Sequence, residues 1–277
     1  MKIYIAVDME GISGVCSPDY VLKDGKLYAA GQRLATEDTN AAVRAAFDAG
    51  ADEVIVADMH GATQNLLVEQ LDPRAKLMAG NPRAVRFPFL DDTVDGMALI
   101  GYHSKAGTQG GNLEHTMNSK SWFRYCVNGV PYGESAIDAE IAAWCGVPVI
   151  MVSGDNYLDA EIKEMLGPQV ETAQVKIGFA RQGALCLSPE EGRKRVYAAM
   201  KRACERLAAG EKFPLAKMNT PVTVRTTYKF TPDADAAALA YGANRIDGYT
   251  VEMNYPRLAD AYGGTWKELG GMSSSEL

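Results

Sequence analysis

Residues 3–7 read Ile-Tyr-Ile-Ala-Val and stop at Asp8-Met9-Glu10-Gly11. A short apolar run rich in β-branched residues is the pattern of a strand buried on both faces, as in a parallel sheet covered by helices. The pattern recurs. Val54-Ile55-Val56-Ala57 ends in Asp58-Met59-His60-Gly61, residues 97–102 run straight into His103, and residues 147–152 end in Ser153-Gly154-Asp155. Between the first two runs, residues 34–49 carry Val43, Ala46 and Phe47 at helical spacing, with Gly50 as the stop. Strand, helix and strand at this spacing predict a parallel pair with a crossover, so that Asp8 and His60 emerge on the same edge of one sheet. The fold class expected is α/β, a mainly parallel sheet flanked by helices, with a smaller C-terminal α+β unit.

The remaining segments fit around that sheet. Residues 11–31 are rich in Gly, Ser, Pro and Asp and read as a loop over the first strand end. The loop at 104–112 contains Gly107, Gly110 and Gly111 but neither a dinucleotide fingerprint nor a Walker lysine, so it reads as an ordinary loop. Asn128-Gly129 marks a two-residue hairpin turn between about residues 122 and 132. Glu134 opens a helix with Ile137, Ile141 and Trp144 facing inward and Gly146 closing it. Ser188-Pro189-Glu190-Glu191 is a capping-box start with proline at the first helical position, and the basic residues that follow are interleaved with glutamates as on a solvated face. From residue 220 the order is strand (222–228), helix (233–241), strand (249–253), a last helix (256–269) and a frayed tail at 273–277. The boundaries drawn are residues 1–185 for a metal-binding catalytic α/β domain and 186–277 for the smaller unit.

Composition excludes several classes of function. A formal charge of -7 and a pI near 5.1 leave no electrostatic footprint for nucleic acid. No apolar run approaches the roughly 20 residues of a membrane helix, and the run after Lys2 has no cleavage pattern behind it, which points to a cytoplasmic protein. Cys16, Cys126, Cys145, Cys186 and Cys204 are odd in number and scattered, which suits reduced thiols better than disulfides or a thiolate zinc site.

The chemistry-bearing residues concentrate early in the chain. Its three histidines are His60, His103 and His115, and two of them directly follow apolar strands whose ends form the ligand-binding edge of such sheets. Together with Asp8 and Glu10 they supply imidazole and carboxylate, the donor set that binds zinc or manganese. Asp8 and Glu10 are two apart, so in an extended chain both face one way; alternatively they cap a turn into Gly11 and are solvated. Glu134 is the candidate fifth ligand, although a glutamate in a first helical turn is also favoured by the helix dipole alone. Asp58 and Asp155 are rivals at other strand ends, and Asp58 can serve instead to orient His60.

Asp8-x-Glu10-Gly11, His60, His103 followed by a Gly-rich loop, His115 and Gly133-Glu134-Ser135 resemble, in order and spacing, the D-aminopeptidase family of zinc peptidases, family M55. The resemblance runs over essentially the whole chain. It departs at Ala6, where the family motif has serine, which removes a hydroxyl near the site but none of the presumed ligands. The resemblance implies a metallo-aminopeptidase that hydrolyses short peptides, those with N-terminal D-residues, by two-zinc activation of water. Asp8 would bridge the ions, Glu10 and His60 would complete one, His103 and Glu134 the other, and His115 would act on the substrate as acid or base. It further implies a ring-shaped homo-oligomer. The residues alone leave open a two-metal amidohydrolase or phosphoesterase, and a peptide-binding module without turnover.

Overall fold

The computed structural model describes residues 1–276. Its first sheet contains β1 (Lys2–Val7), β2 (Glu53–Asp58), β3 (Lys76–Met78), β4 (Gly96–Ile100), β7 (Val149–Asp155), β8 (Glu171–Ala180) and β9 (Gly183–Cys186), in the order β3-β2-β1-β4-β7-β8-β9. All neighbours are parallel except the β8/β9 edge hairpin. The chain moves outward from β1 to β2 and β3, then returns to the other side of β1 as β4. The β1/β4 boundary is therefore a point where strand order reverses, and a crevice opens there beyond the strand ends.

Side-chain alternation assigns the two faces. Ile3, Ile5, Val7, Val54 and Val56 pack with α1 (Tyr28–Asp48) and α4 (Pro189–Ala208) in one core. Tyr4, Ala6, Ile55 and Ala57 pack in a second core with α2 (Glu134–Trp144) and α3 (Asn156–Leu166). By the same parity Asp8 points toward the α2 layer, the layer that carries Glu134. The fold class is the α/β architecture expected. Its second sheet is antiparallel, ordered β11-β12-β10-β5-β6 from β5 (Trp122–Val127), β6 (Val130–Pro131), β10 (Val222–Tyr228), β11 (Asn244–Arg245) and β12 (Thr250–Tyr255), with α5 (Thr231–Tyr241) alongside. Tyr125, Val127, Val222 and Val224 of this sheet complete the second core.

Local chemistry explains where elements stop. Asn128 and Gly129 both take positive φ, 50° and 82°, which is the hairpin turn their sequence predicts. Ser188 accepts the Glu191 amide at 3.3 Å and caps α4, and along α4 Lys194 pairs with Glu190 and Lys201 with Glu205. Three expectations differ from the structure. Helix α1 begins at Tyr28, inside the stretch read as loop, with no side-chain cap to announce it. The helix expected over 256–269 is only a 3-10 turn at Leu258–Tyr262, ended by Gly263 and Gly264 at φ 90° and 88°. The tail is not frayed at Ser274, which is buried and accepts a 2.7 Å hydrogen bond from Lys76 Nζ; Leu277 lies outside the described residues.

Asp38 ties α1 to the loop that follows the first strand. Its Oδ2 accepts the Ser13 amide at 2.9 Å, and burial pushes its carboxyl up to about 6, against the hydrogen bonds from Ser13 and the charge of Lys176. A folded-state value raised above the unfolded 3.8 means that the stabilising contribution is complete below pH 3.8 and is lost as pH rises toward 6. Asp38→Asn, which cannot ionise, is expected to gain on the parent by up to roughly 3 kcal/mol across that window. Denaturant unfolding of both proteins at several pH values checks this; a constant difference would remove Asp38 as the cause.

Candidate metal centre

Asp8 is the first residue beyond β1, and its amide donates to Ile100 O at 2.8 Å, continuing the ladder to β4. The chain then turns instead of remaining extended: Met9 N donates to Asp8 Oδ1 at 2.8 Å and Gly11 N to Gly101 O at 2.7 Å. A Cβ at Gly11 would stand 1.9 Å from Tyr102 O, so only glycine permits this approach of the two strand ends. Asp8 and Glu10 do converge, but through this turn and not through strand alternation. Both are buried.

The histidines are oriented from behind. His60 Nε2 lies 2.9 Å from Val21 O, His103 Nδ1 3.0 Å from Ser104 O, and His115 Nδ1 2.9 Å from Leu113 O. A carbonyl only accepts, so each of these nitrogens carries the proton, and the opposite nitrogen is left as a lone pair. Those lone pairs all face carboxylates. His60 Nδ1 is 2.8 Å from Asp8 Oδ1 and 3.1 Å from Glu10 Oε2. His103 Nε2 is 3.4 Å from both Asp8 Oδ2 and Glu134 Oε1, and His115 Nε2 is 3.5 Å from Glu134 Oε1. The His103 and His115 rings stack with centroids 4.1 Å apart.

A lone pair cannot sit against a buried carboxylate unless positive charge lies between them, either a proton or a metal ion. The same demand shows in the titration of the groups. Burial alone would push Asp8 up, but the facing imidazoles of His103 and His60 hold it well below the usual carboxylate range. Glu134, likewise buried, is held down to about 2 by His103 and His115. Burial would lower His60 and His103, and the facing carboxylates instead raise both well above the usual imidazole value. Among the described residues nothing hydrogen-bonds to Glu10 Oε2 or His103 Nε2, both of which are buried. Donor atoms of Asp8, Glu10 and His103 lie within 4.8 Å of one another, as do those of His103, His115 and Glu134. Orphaned donors, this spacing and a mixed imidazole and carboxylate set fit divalent zinc or manganese.

The rival acids do other work. Asp58 accepts Asn65 N at 2.5 Å and Leu66 N at 3.0 Å, bracing the loop that carries His60. Asp155 caps α3 through Tyr157 N and Leu158 N and also accepts Asn112 N at 2.9 Å. Three residues that sequence reasoning passed over surround the cluster. Arg86 forms a two-pronged pair with Asp138, which also accepts Tyr102 OH at 2.6 Å, and its Nη2 lies 3.9 Å from Glu134 Oε2. Asp138 stands one turn after Glu134 on α2, and two acids on one inward helix face are the sequence signal for a buried cation opposite. Lys176 is buried, with Nζ on Glu10 O at 2.5 Å and on Val15 O, and it pins the turn carrying Glu10 from beneath. Arg83 lines the space beside His60.

Comparison with known proteins follows the same lines. The sequence model of the D-aminopeptidase family, peptidase family M55, matches residues 1–266. A D-aminopeptidase of Bacillus subtilis (strain 168) is 39% identical over 194 residues, 68% of each chain. The solved structure of the Zn-dependent D-aminopeptidase DppA from Bacillus subtilis, a self-compartmentalizing protease, superposes with a TM-score of 0.87 at 32% identity, covering 95% of this chain and 94% of that one.

Proposed function

This chain belongs to the D-aminopeptidase family and is a metal-dependent aminopeptidase; from that premise we propose that it holds two zinc ions and removes N-terminal D-residues from short peptides. The observation that carries the two-ion reading is Asp8. Its Oδ1 addresses His60 and its Oδ2 addresses His103, so one carboxylate serves two imidazoles from opposite oxygens. Asp8, Glu10 and His60 would hold one ion, and Asp8, His103 and Glu134 the other. Zinc so held supplies electrophilic activation of the scissile carbonyl and an acidified water as nucleophile. The protein's part is orientation and proton transfer. Met117 N donates to Glu134 Oε1 at 2.7 Å and fixes that carboxylate, and carbonyls behind the imidazoles fix their rings. His115, protonated at Nδ1, keeps the Nε2 lone pair free to take the proton released by the attacking water and pass it on to the leaving amine.

We place this chemistry within residues 1–185 and give residues 186–277 a supporting part, since α4 covers one face of the first sheet and β10 completes the second. Assembly into a homo-oligomer, ring-shaped in this reading, is supported by the self-compartmentalizing relative and by Ile177, Phe179 and Leu185, exposed together on the β8/β9 edge hairpin. Among the described residues no helix is long and apolar enough to cross a membrane, and we assign the enzyme to the cytoplasm. Metal analysis of the purified protein tests the central claim. Two equivalents of zinc per chain are expected; a single equivalent at full activity would overturn the two-ion reading.

A further inference from the structure

Cys186 ends β9 and stands directly opposite Lys176 in the β8/β9 pairing. Residues opposite one another on antiparallel strands project from the same face, so Cys186 points where Lys176 points, toward the loop after β1. Ile177 and Leu185, the next opposed pair, point the other way and are exposed. In the loop, the Cys186 sulfur shares a hydrogen bond with the Cys16 thiol and accepts one from the Gly14 amide. Lys176 Nζ reaches the same segment at Val15 O and Glu10 O, and its charge acts on both sulfurs. Cys16 and Cys186 are each partly open to solvent. The other three thiols are placed differently: Cys145 donates to Leu90 O at 3.7 Å, Cys204 is fully buried and Cys126 lies on β5. Among the described residues none of those three hydrogen-bonds to a sulfur.

We propose that Cys16 and Cys186 form a redox-active dithiol that hydroperoxides convert to a disulfide, and that the bond braces the loop carrying Glu10 against loss of metal. The cross-link is independent of the peptidase reading; its effect on metal rests on the two-ion site. One thiolate attacks the O–O bond of the peroxide, takes one oxygen as a sulfenic acid and releases an alcohol, or water from hydrogen peroxide. The second sulfur then attacks the first, the S–S bond forms, and the departing hydroxide leaves as water with the second thiol's proton. Two thiols and one hydroperoxide thus give a disulfide, an alcohol and a water, and the two electrons lost by sulfur reduce the peroxide. Burial pushes the Cys186 thiol up and the Lys176 ammonium draws it back. In a reducing compartment such a pair rests as thiols and bridges only on oxidation. The brace follows from position. Cys16 stands between Glu10 and Val21, whose carbonyl orients His60, and its own carbonyl accepts Asn112 Nδ2 at 3.1 Å. A covalent tie to β9 at this point fixes the loop between two segments of the metal centre.

The test treats the zinc-loaded enzyme with hydrogen peroxide, alkylates the remaining thiols after denaturation and maps the peptides by mass spectrometry. A peptide pair joined through residues 16 and 186 is expected, cleaved by a phosphine reductant, with Cys126, Cys145 and Cys204 alkylated. On oxidation, amide exchange over residues 11–21 is expected to slow, and transfer of zinc to a chelator to slow by roughly tenfold, the lower end of what contacts behind a metal ligand are worth. In Cys16→Ser, peroxide should change neither rate; Cys186→Ser gives the same comparison if the first variant does not fold. Five alkylated thiols after treatment, or sulfinic acids at Cys16 and Cys186 without a link, overturn the dithiol. A link that leaves exchange and zinc transfer unchanged overturns the brace. A linked protein that takes up no zinc overturns the two-ion reading instead, an outcome separate from failure of the link.

Discussion

Replacing His103 with alanine is expected to remove metal and activity together. His103 Nε2 stands 3.4 Å from Asp8 and from Glu134, and it is the only imidazole in the cluster placed against both of those acids. Without it the two buried carboxylates face each other with less positive charge between them, and the influence that holds Glu134 down to about 2 is largely gone. In the proposed scheme one ion would then lose a ligand and Asp8 would lose one of its two imidazole partners. Loss of an outer contact to a metal ligand costs about 10–100-fold in affinity or activity, and loss of the ligand itself should exceed that. Metal content measured after dialysis and kcat on a short D-peptide check the outcome. A variant that keeps its zinc would show that His103 is a hydrogen-bonded core histidine.

Removing His115 should have a different signature. Its Nδ1 is committed to Leu113 O, its ring lies flat against His103, and its Nε2 reaches only Glu134 of the five assigned ligands. In the proposed scheme it moves a proton and holds no ion. His115→Ala is therefore expected to retain both zinc ions while kcat falls by about 10²–10⁴, the range typical of a lost general acid or base. The two variants form a contrast, metal and turnover lost together against turnover alone. If His115→Ala released metal as readily as His103→Ala, His115 would have to be counted as a ligand and the proton carrier sought elsewhere.

How far the sequence reached depended on what kind of contact each residue makes. Asp8, His60 and His103 were legible because each follows an apolar strand, and a parallel sheet delivers its strand ends to one edge whatever the loops do. Glu10 was found through the wrong geometry, since alternation was assumed where the chain turns at Gly11. His115 sits in an irregular stretch where Leu113 and Met117 take positive φ, and only the family resemblance gave it a role. Arg83 and Arg86 left no periodic signal: they lie on a loop, and the partner of Arg86 is Asp138, on an element specified far away. The second sheet was half legible for a similar reason. Asn128-Gly129 announces a hairpin, but nothing in residues 122–127 records that β10 will pair along their other side.

The reversal of strand order at β1 has a consequence for how the enzyme acquires its metal. In the proposed scheme its donors come from residues 8, 10, 60, 103 and 134, on segments brought together only when β4 has been laid beside β1 and α2 packed over them. A nascent or unfolded chain offers the ion nothing better than the acids at 8 and 10. Metal held in this way would bind the finished fold almost exclusively, and each ion would act as a thermodynamic clamp, worth about 4 kcal/mol at a thousandfold excess over its dissociation constant. The ions on which turnover depends would then also set the enzyme's lifetime, and metal starvation would deplete the protein as well as idle it.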